Sequence, residues 1–182
     1  MLQSEEIFGD SNAYAIDEKC ATSYIKTDLN QENMPTFAFE LDYKGKSGTR
    51  NAGWLFGNQY SKTDYYLITW LWADINESEE KKENLKKHVT ESNITKVKAI
   101  LINKEKIRAF ITSYGINIQN YMRASKKLRE EKDELYINLN QEGNKKTPKI
   151  QYTTNLYEKP VNIIVSEYDL KKLADKVWED VR

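Results

Sequence analysis

A chain of 182 residues with 28 Lys and Arg against 28 Asp and Glu has no net charge at neutral pH, so any nucleic acid or membrane partner must be met by a local patch rather than a global field. One cysteine and one histidine exclude an internal disulfide and a nitrogen- or sulfur-ligated zinc site. Aromatic residues make up 12%, more than a disordered chain carries, and the length suits one domain with its own core.

Met1 to Asn12 is polar and acidic, with Gly9-Asp10 as a turn signal, and leaves room for one short element. Two short apolar runs follow. In Ala13 to Cys20, strand alternation puts Asp17 and Lys19 on one face and Ile16 and Glu18 on the other. In Thr36 to Tyr43 the same period puts Phe37, Phe39, Leu41 and Tyr43 on a core face, with Glu40 and Asp42 opposite. The polar loop that ends at Pro35 would let the two strands pair antiparallel, gathering Asp17, Glu40 and Asp42 around Lys19. Such a cluster offers hard oxygen ligands for Mg²⁺ beside one cation, the outline of phosphodiester chemistry. An acid two residues before a lysine is equally the mark of a solvated sheet face with an ion pair, which is the commoner meaning. Cys20 ends an apolar run without a nearby histidine and is expected to be buried packing.

Lys44 to Arg50 is a basic, glycine-containing loop, and Gly53 to Gly57 a short apolar patch between two glycines. Asp64 to Ala73 is the most apolar segment and reads as a central strand buried on both faces, in one sheet with the two acidic strands. Glu77 to Val89 is a lysine- and glutamate-rich run, an exposed helix or an insertion spanning about 77–93. Ile94 to Ile102 reads as a strand. Asn103 then opens a helix with Ile107, Phe110 and Ile111 that Gly115 ends, and Ile118 to Lys132 is a second helix carrying Arg123, Lys126, Lys127 and Arg129. Leu135 to Leu139 and Lys149 to Thr154 form a strand pair through Gly143-Asn144, and Val161 to Ser166 is another strand. Ser166 or Glu167 opens a last helix whose apolar stripe is Leu170, Leu173, Ala174 and Val177. The expected fold is a single domain over residues 1–182, mixed α/β (α+β), with a central mixed sheet flanked by helices. No signal peptide is read at the start, and no apolar stretch reaches the ~20 residues of a membrane helix. A cytoplasmic protein is the expectation.

The series Ile16-Asp17-Glu18-Lys19, Thr36 to Leu41, Gly53-Trp54, Lys62 to Leu67 and Glu158 to Asn162 resembles, across most of the chain, bacterial and phage members of the PD-(D/E)XK nuclease superfamily. The resemblance implies a restriction-endonuclease-like fold and an Mg²⁺- or Mn²⁺-dependent endonuclease acting on nucleic acid, DNA in the first place. It also implies that Asp17 and Lys19 are the acid-x-lysine and Glu40 a further acid, with Asp17 and Glu40 as metal ligands and all three catalytic. The superfamily's first acid normally precedes that strand, and here only Glu5, Glu6 or Asp10 is available to supply it. A second registration makes Asp17 the first acid and Glu40-Leu41-Asp42 the catalytic strand, with Lys44 in place of the missing lysine. Two other classes stand beside the enzyme. One is a nucleic-acid-binding module without chemistry, in which Lys44, Lys46, Arg50, Lys62, Arg123, Lys126, Lys127 and Arg129, with Trp54 and Tyr60, meet phosphates and bases. The other is an interaction or inhibitor protein of a mobile element.

Overall fold

The computed structural model describes residues 1–74, 89–130, 135–140 and 147–181. The run at 77–88 and the Gly143-Asn144 turn lie outside the described residues. In chain order the strands and helices are β1 (Leu2–Gln3), α1 (Glu5–Phe8), β2 (Ala13–Tyr14), β3 (Ile16–Cys20), β4 (Thr36–Lys44), β5 (Arg50–Ala52), β6 (Tyr65–Ala73) and β7 (Ile94–Asn103). They continue as α2 (Lys104–Ser113), α3 (Tyr121–Glu130), β8 (Tyr136–Asn138), β9 (Lys149–Tyr152), β10 (Val161–Ser166), α4 (Glu167–Leu173) and β11 (Lys176–Val181). The fold is mixed α and β, and among the described residues no helix is long and apolar enough to cross a membrane.

The chain forms two compact units, one of residues 1–35, 63–103 and 170–182, the other of residues 36–62 and 104–169. The first holds a four-stranded sheet in the order β11-β7-β6-β3, in which β3 runs parallel to β6 and the other pairings are antiparallel. As its composition requires, β6 lies inside the sheet, with Tyr66, Ile68, Trp70 and Trp72 buried on one face. Its other face is only partly covered. Tyr65 is buried there beneath Phe8 and Tyr14, whereas Leu67, Thr69 and Leu71 are half-buried. The Trp72 indole N–H donates to the Gln31 carbonyl, satisfying the one polar atom that burying this ring would strand.

The last segment departs from the helix expected of it. Helix α4 stops at Leu173, and Lys176–Val181 pairs antiparallel with β7 as an edge strand. The stripe Leu170, Leu173, Ala174 and Val177 fits a helical period, but the open edge of β7 offers backbone partners that a further helical turn cannot. The turn between them is fixed by the Asp175 carboxylate, which accepts the Asn103 N–H at 2.9 Å. On β11, Glu179 takes Lys171 at 2.6 Å and Lys98 at 3.1 Å. The Lys171 hydrogen bond, then Lys98, lowers its carboxyl below the ordinary value of 4.5. A carboxyl lowered in the folded state contributes stability that is present above its unfolded value and is lost as pH falls through the lowered folded one. Denaturant titrations should therefore separate wild type from Glu179→Gln at pH 7 by a gap that narrows as the pH falls below the ordinary carboxylate value; a gap that does not narrow in acid would deny the linkage.

The second unit holds an antiparallel five-stranded sheet in the order β5-β4-β10-β9-β8. The expectation that Tyr14 to Cys20, Thr36 to Tyr43 and Asp64 to Trp72 share one sheet is therefore corrected. The first and third are neighbours, while β4 pairs with β10 and β5. Alternation fixes which side chains a strand buries, and says nothing about which strand it pairs with. Phe37, Phe39 and Leu41 of β4 join Ile150, Val161, Ile163 and Val165 in the core of this unit. Helix α3 packs across β4 and β9. It buries Tyr121, Ser125 and Leu128 at the i, i+4, i+7 spacing of one helical face. Ahead of it, Gly115 ends α2 at a φ of 86°, a left-handed conformation that costs a glycine little.

Candidate functional site

Asp17 and Lys19 stand together on β3 as alternation requires, the ammonium 2.9 Å from the carboxylate and both side chains about a quarter exposed. Strand β3 is the edge of its sheet, and Cys20 at its end is exposed, not packed. An edge strand with one covered flank leaves its last side chain in solvent. Of the upstream acids, Glu5 and Glu6 lie in the first turn of α1, both exposed. Asp10 accepts the Tyr14 hydroxyl at 2.7 Å and the Asn12 N–H at 2.9 Å, and these bonds, Tyr14 first, lower its carboxyl below the ordinary range.

Glu40 sits on β4, in the other sheet and the other compact unit, half-buried beside Gly53. Among the described residues, no group of three or more His, Cys, Asp and Glu side chains is placed to hold a metal ion. The Asp17 carboxylate already meets a cation, and its pairing with Lys19 is a different donor arrangement from the two or three carboxylates that hold Mg²⁺.

Asp42 is the acid whose position the sequence pattern gets wrong. Alternation sets it beside Glu40 on the face away from the core, yet it is 0% exposed. Between Asn162↔Glu40 and Val161↔Asp42 the β4–β10 register slips by one residue, so Leu41 is an extra residue on β4. Such a bulge breaks the two-residue period and brings Asp42 to the buried side along with Leu41. Arg129 of α3 meets it with two guanidinium nitrogens, Nη1 at 2.5 Å and Nη2 at 2.8 Å, one to each carboxylate oxygen. Arg50 of β5 stands 3.7 Å away and donates to the Lys159 carbonyl. Burial, then the Asp42 charge, raises the Tyr121 phenol above its ordinary value. Arg50 and Arg129, both candidate phosphate contacts by sequence, are thus committed to holding β5, β4 and α3 together.

The outer surface of α3 is different. Arg123, Lys126 and Lys127 are exposed on the side opposite Tyr121, Ser125 and Leu128, with Glu130 3.7 Å from Lys126 as an exposed pair of little energetic weight. The stripe extends backwards. Tyr121 and Ala124 donate their N–H groups to the carbonyls of Asn117 and Asn120, so a hydrogen-bonded turn at 117–120 leads directly into α3, with Ile118 and Gln119 four residues before Met122 and Arg123. Asn117 and Asn120 close that start, Asn117 Oδ1 accepting from Gln119 N–H and Asn120 Oδ1 from Asn117 N–H, each at 2.9 Å.

Where this turn faces α2 there is a groove of about 670 Å³, lined among others by Phe56, Arg108, Ala109, Thr112, Ile118 and Gln119. Arg108 lies 5.6 Å from the Phe56 ring centre, donates to the Leu55 carbonyl and pairs with Glu105 at 2.8 Å. Its orientation is set by three contacts. The basic cluster on α3 is legible in the sequence, whereas the groove is not, because it depends on α2 meeting the turn before α3. Lys44, Lys46 and Arg50 belong to the β4–β5 connection of the same unit, with the Lys44 N–H bound to the Glu158 carbonyl at 2.6 Å. No family model, curated protein or solved structure matches this chain.

Proposed function

We propose that this protein binds nucleic acid through the unit of residues 36–62 and 104–169, with the outer face of α3 on the phosphates. The observation that carries the reading is a segregation of charge hidden by the neutral total. That unit has 16 Lys and Arg against 11 Asp and Glu, whereas the other has 12 against 17. A surplus of five positive charges, with three of them set side by side on a helix anchored by a buried ion pair, is a local electrostatic footprint of the kind a polyanion needs.

Hydrolysis with Mg²⁺ or Mn²⁺, through Asp17, Lys19 and Glu40, is a second reading, and DNA would be its first substrate. It is favoured by the acid-x-lysine pair standing on one strand face with 2.9 Å between the charged groups. A restriction-endonuclease-like arrangement of the fold goes with this reading.

One set of incubations tests both. Wild type should retain DNA or RNA in a gel and in fluorescence anisotropy, with log K falling linearly against log salt. Arg123→Gln, Lys126→Gln and Lys127→Gln together should flatten that slope by about 2 to 3, at roughly 0.7–0.9 for each phosphate no longer neutralised. Retention of neither single-stranded nor duplex DNA nor RNA at low salt would end the binding reading. Cleavage with Mn²⁺ that disappears in Asp17→Asn and Lys19→Ala would establish the hydrolase, since losing a general acid–base group costs ~10²–10⁴-fold.

A further inference from the structure

We propose, resting on that binding reading, that the nucleic acid taken by this unit is single-stranded, with one unstacked base held in the groove between α2 and the turn before α3. The groove and the basic stripe lie next to each other along the chain, joined by the turn at 117–120. Ile118 and Gln119 line the groove from the turn that leads into α3, whose first exposed residues are Met122 and Arg123, with Lys126 and Lys127 one helical turn further on. Ile118 is 48% exposed and Met122 38%. An apolar strip therefore runs beside the cationic one, the pairing that a strand with bases on one side and phosphates on the other requires.

The groove has the size and lining for a base. Its volume of about 670 Å³ lies within the usual span of small-ligand sites, which are mainly apolar with a few placed polar groups. Ala109 and Ile118 supply the exposed apolar surface above buried Phe56, and Glu105, Thr112, Asn117 and Gln119 the polar rim. The guanidinium of Arg108, fixed by Glu105 and the Leu55 carbonyl, adds a planar cation of the kind on which unstacked bases pack. A base within a duplex reaches such a groove only by leaving its stack, at a cost that an already unstacked base does not bear. An acidic peptide would satisfy the cationic stripe without using the apolar strip and the groove together, so the single strand is the better fit.

Anisotropy with a labelled single-stranded oligonucleotide and with a hairpin duplex of equal phosphate number decides the matter. The single strand should bind about tenfold tighter, the scale of one base stacked on a protein surface. Ile118→Ser, which removes the apolar wall, and Ala109→Gln, which fills the groove, both lie at exposed positions and leave the core alone. Both should bring the single strand to the affinity of the duplex with the salt slope unchanged. Equal binding of strand and duplex by wild type, or a preference that survives both substitutions, would overturn the inference and leave the binding reading intact. Displacement of the strand by polyglutamate at matched charge would overturn it in favour of a protein partner. Loss of all binding by wild type would overturn the binding reading itself, and this inference with it.

Discussion

Arg129→Met should destabilise the protein by about 3–5 kcal/mol in urea titration, the range measured when one partner of a buried ion pair is removed. Asp42 is fully buried and takes both of its close hydrogen bonds from that guanidinium. Without them the cation left beside its carboxylate, among the described residues, is Arg50, 3.7 Å away and also bonded to the Lys159 carbonyl. The double variant Asp42→Val with Arg129→Met should recover most of the loss, because both charges then leave the interior together and Arg50 keeps its carbonyl partner. A single variant within about 1 kcal/mol of wild type, on the scale of an exposed pair, would mean that water reaches Asp42 and that α3 is held by its apolar face alone. Since α3 carries the proposed phosphate contacts, Arg129→Met should also weaken binding at temperatures where the protein remains folded.

Gly53→Ala should cost about 3 kcal/mol, at the upper end of what overpacking a close contact costs. A Cβ at Gly53 would lie 2.3 Å from the Glu40 carbonyl oxygen and 2.5 Å from its carbon. Backbone has no rotamer with which to move aside. Nor can Gly53 withdraw, since its N–H donates to the Leu41 carbonyl and its own carbonyl accepts from Gly57, each at 2.8 Å. Gly48→Ala provides the comparison. Its added methyl would meet only the Lys44 side chain, at 3.8 Å, and its φ of 85° costs an alanine roughly 1–2 kcal/mol. Equal losses in the two variants would show that the approach at Gly53 relaxes easily. The Leu41 carbonyl to which Gly53 donates belongs to the bulged residue, so this contact also supports the displacement that buries Asp42.

Local pattern carried most of the elements. Tyr65–Ala73, Ile94–Asn103 and Val161–Ser166 are dense in β-branched and aromatic residues between turn signals, and each is a strand. The helices at Lys104–Ser113 and Tyr121–Glu130 follow from their apolar spacing and from Gly115. What stayed hidden is long-range. Arg129 and Asp42 are 87 residues apart in sequence, and one extra residue at Leu41 inverted the face on which Asp42 was placed. Asp17 and Lys19 were legible as a pair because two residues of one strand need nothing distant. The sheet that Glu40 joins was not legible, because strand pairing, not alternation, sets it. The segment after Leu173 misled for the same reason, since β7 supplied an edge that Val177 and Trp178 could pair with.

The backbone passes between the two compact units four times, after Pro35, Lys62, Asn103 and Asp169. For a chain emerging vectorially from a ribosome this sets a strict schedule. The four-stranded sheet begins with β3 and cannot be completed until β11, which follows every residue of the second unit, leaves the exit tunnel. Until then β7 presents an unpaired, Ile-rich margin, the kind of surface on which nascent chains stick to one another. A nonsense codon just ahead of Lys176 would leave that adhesive margin open permanently, so the quality-control burden of this protein falls on β11.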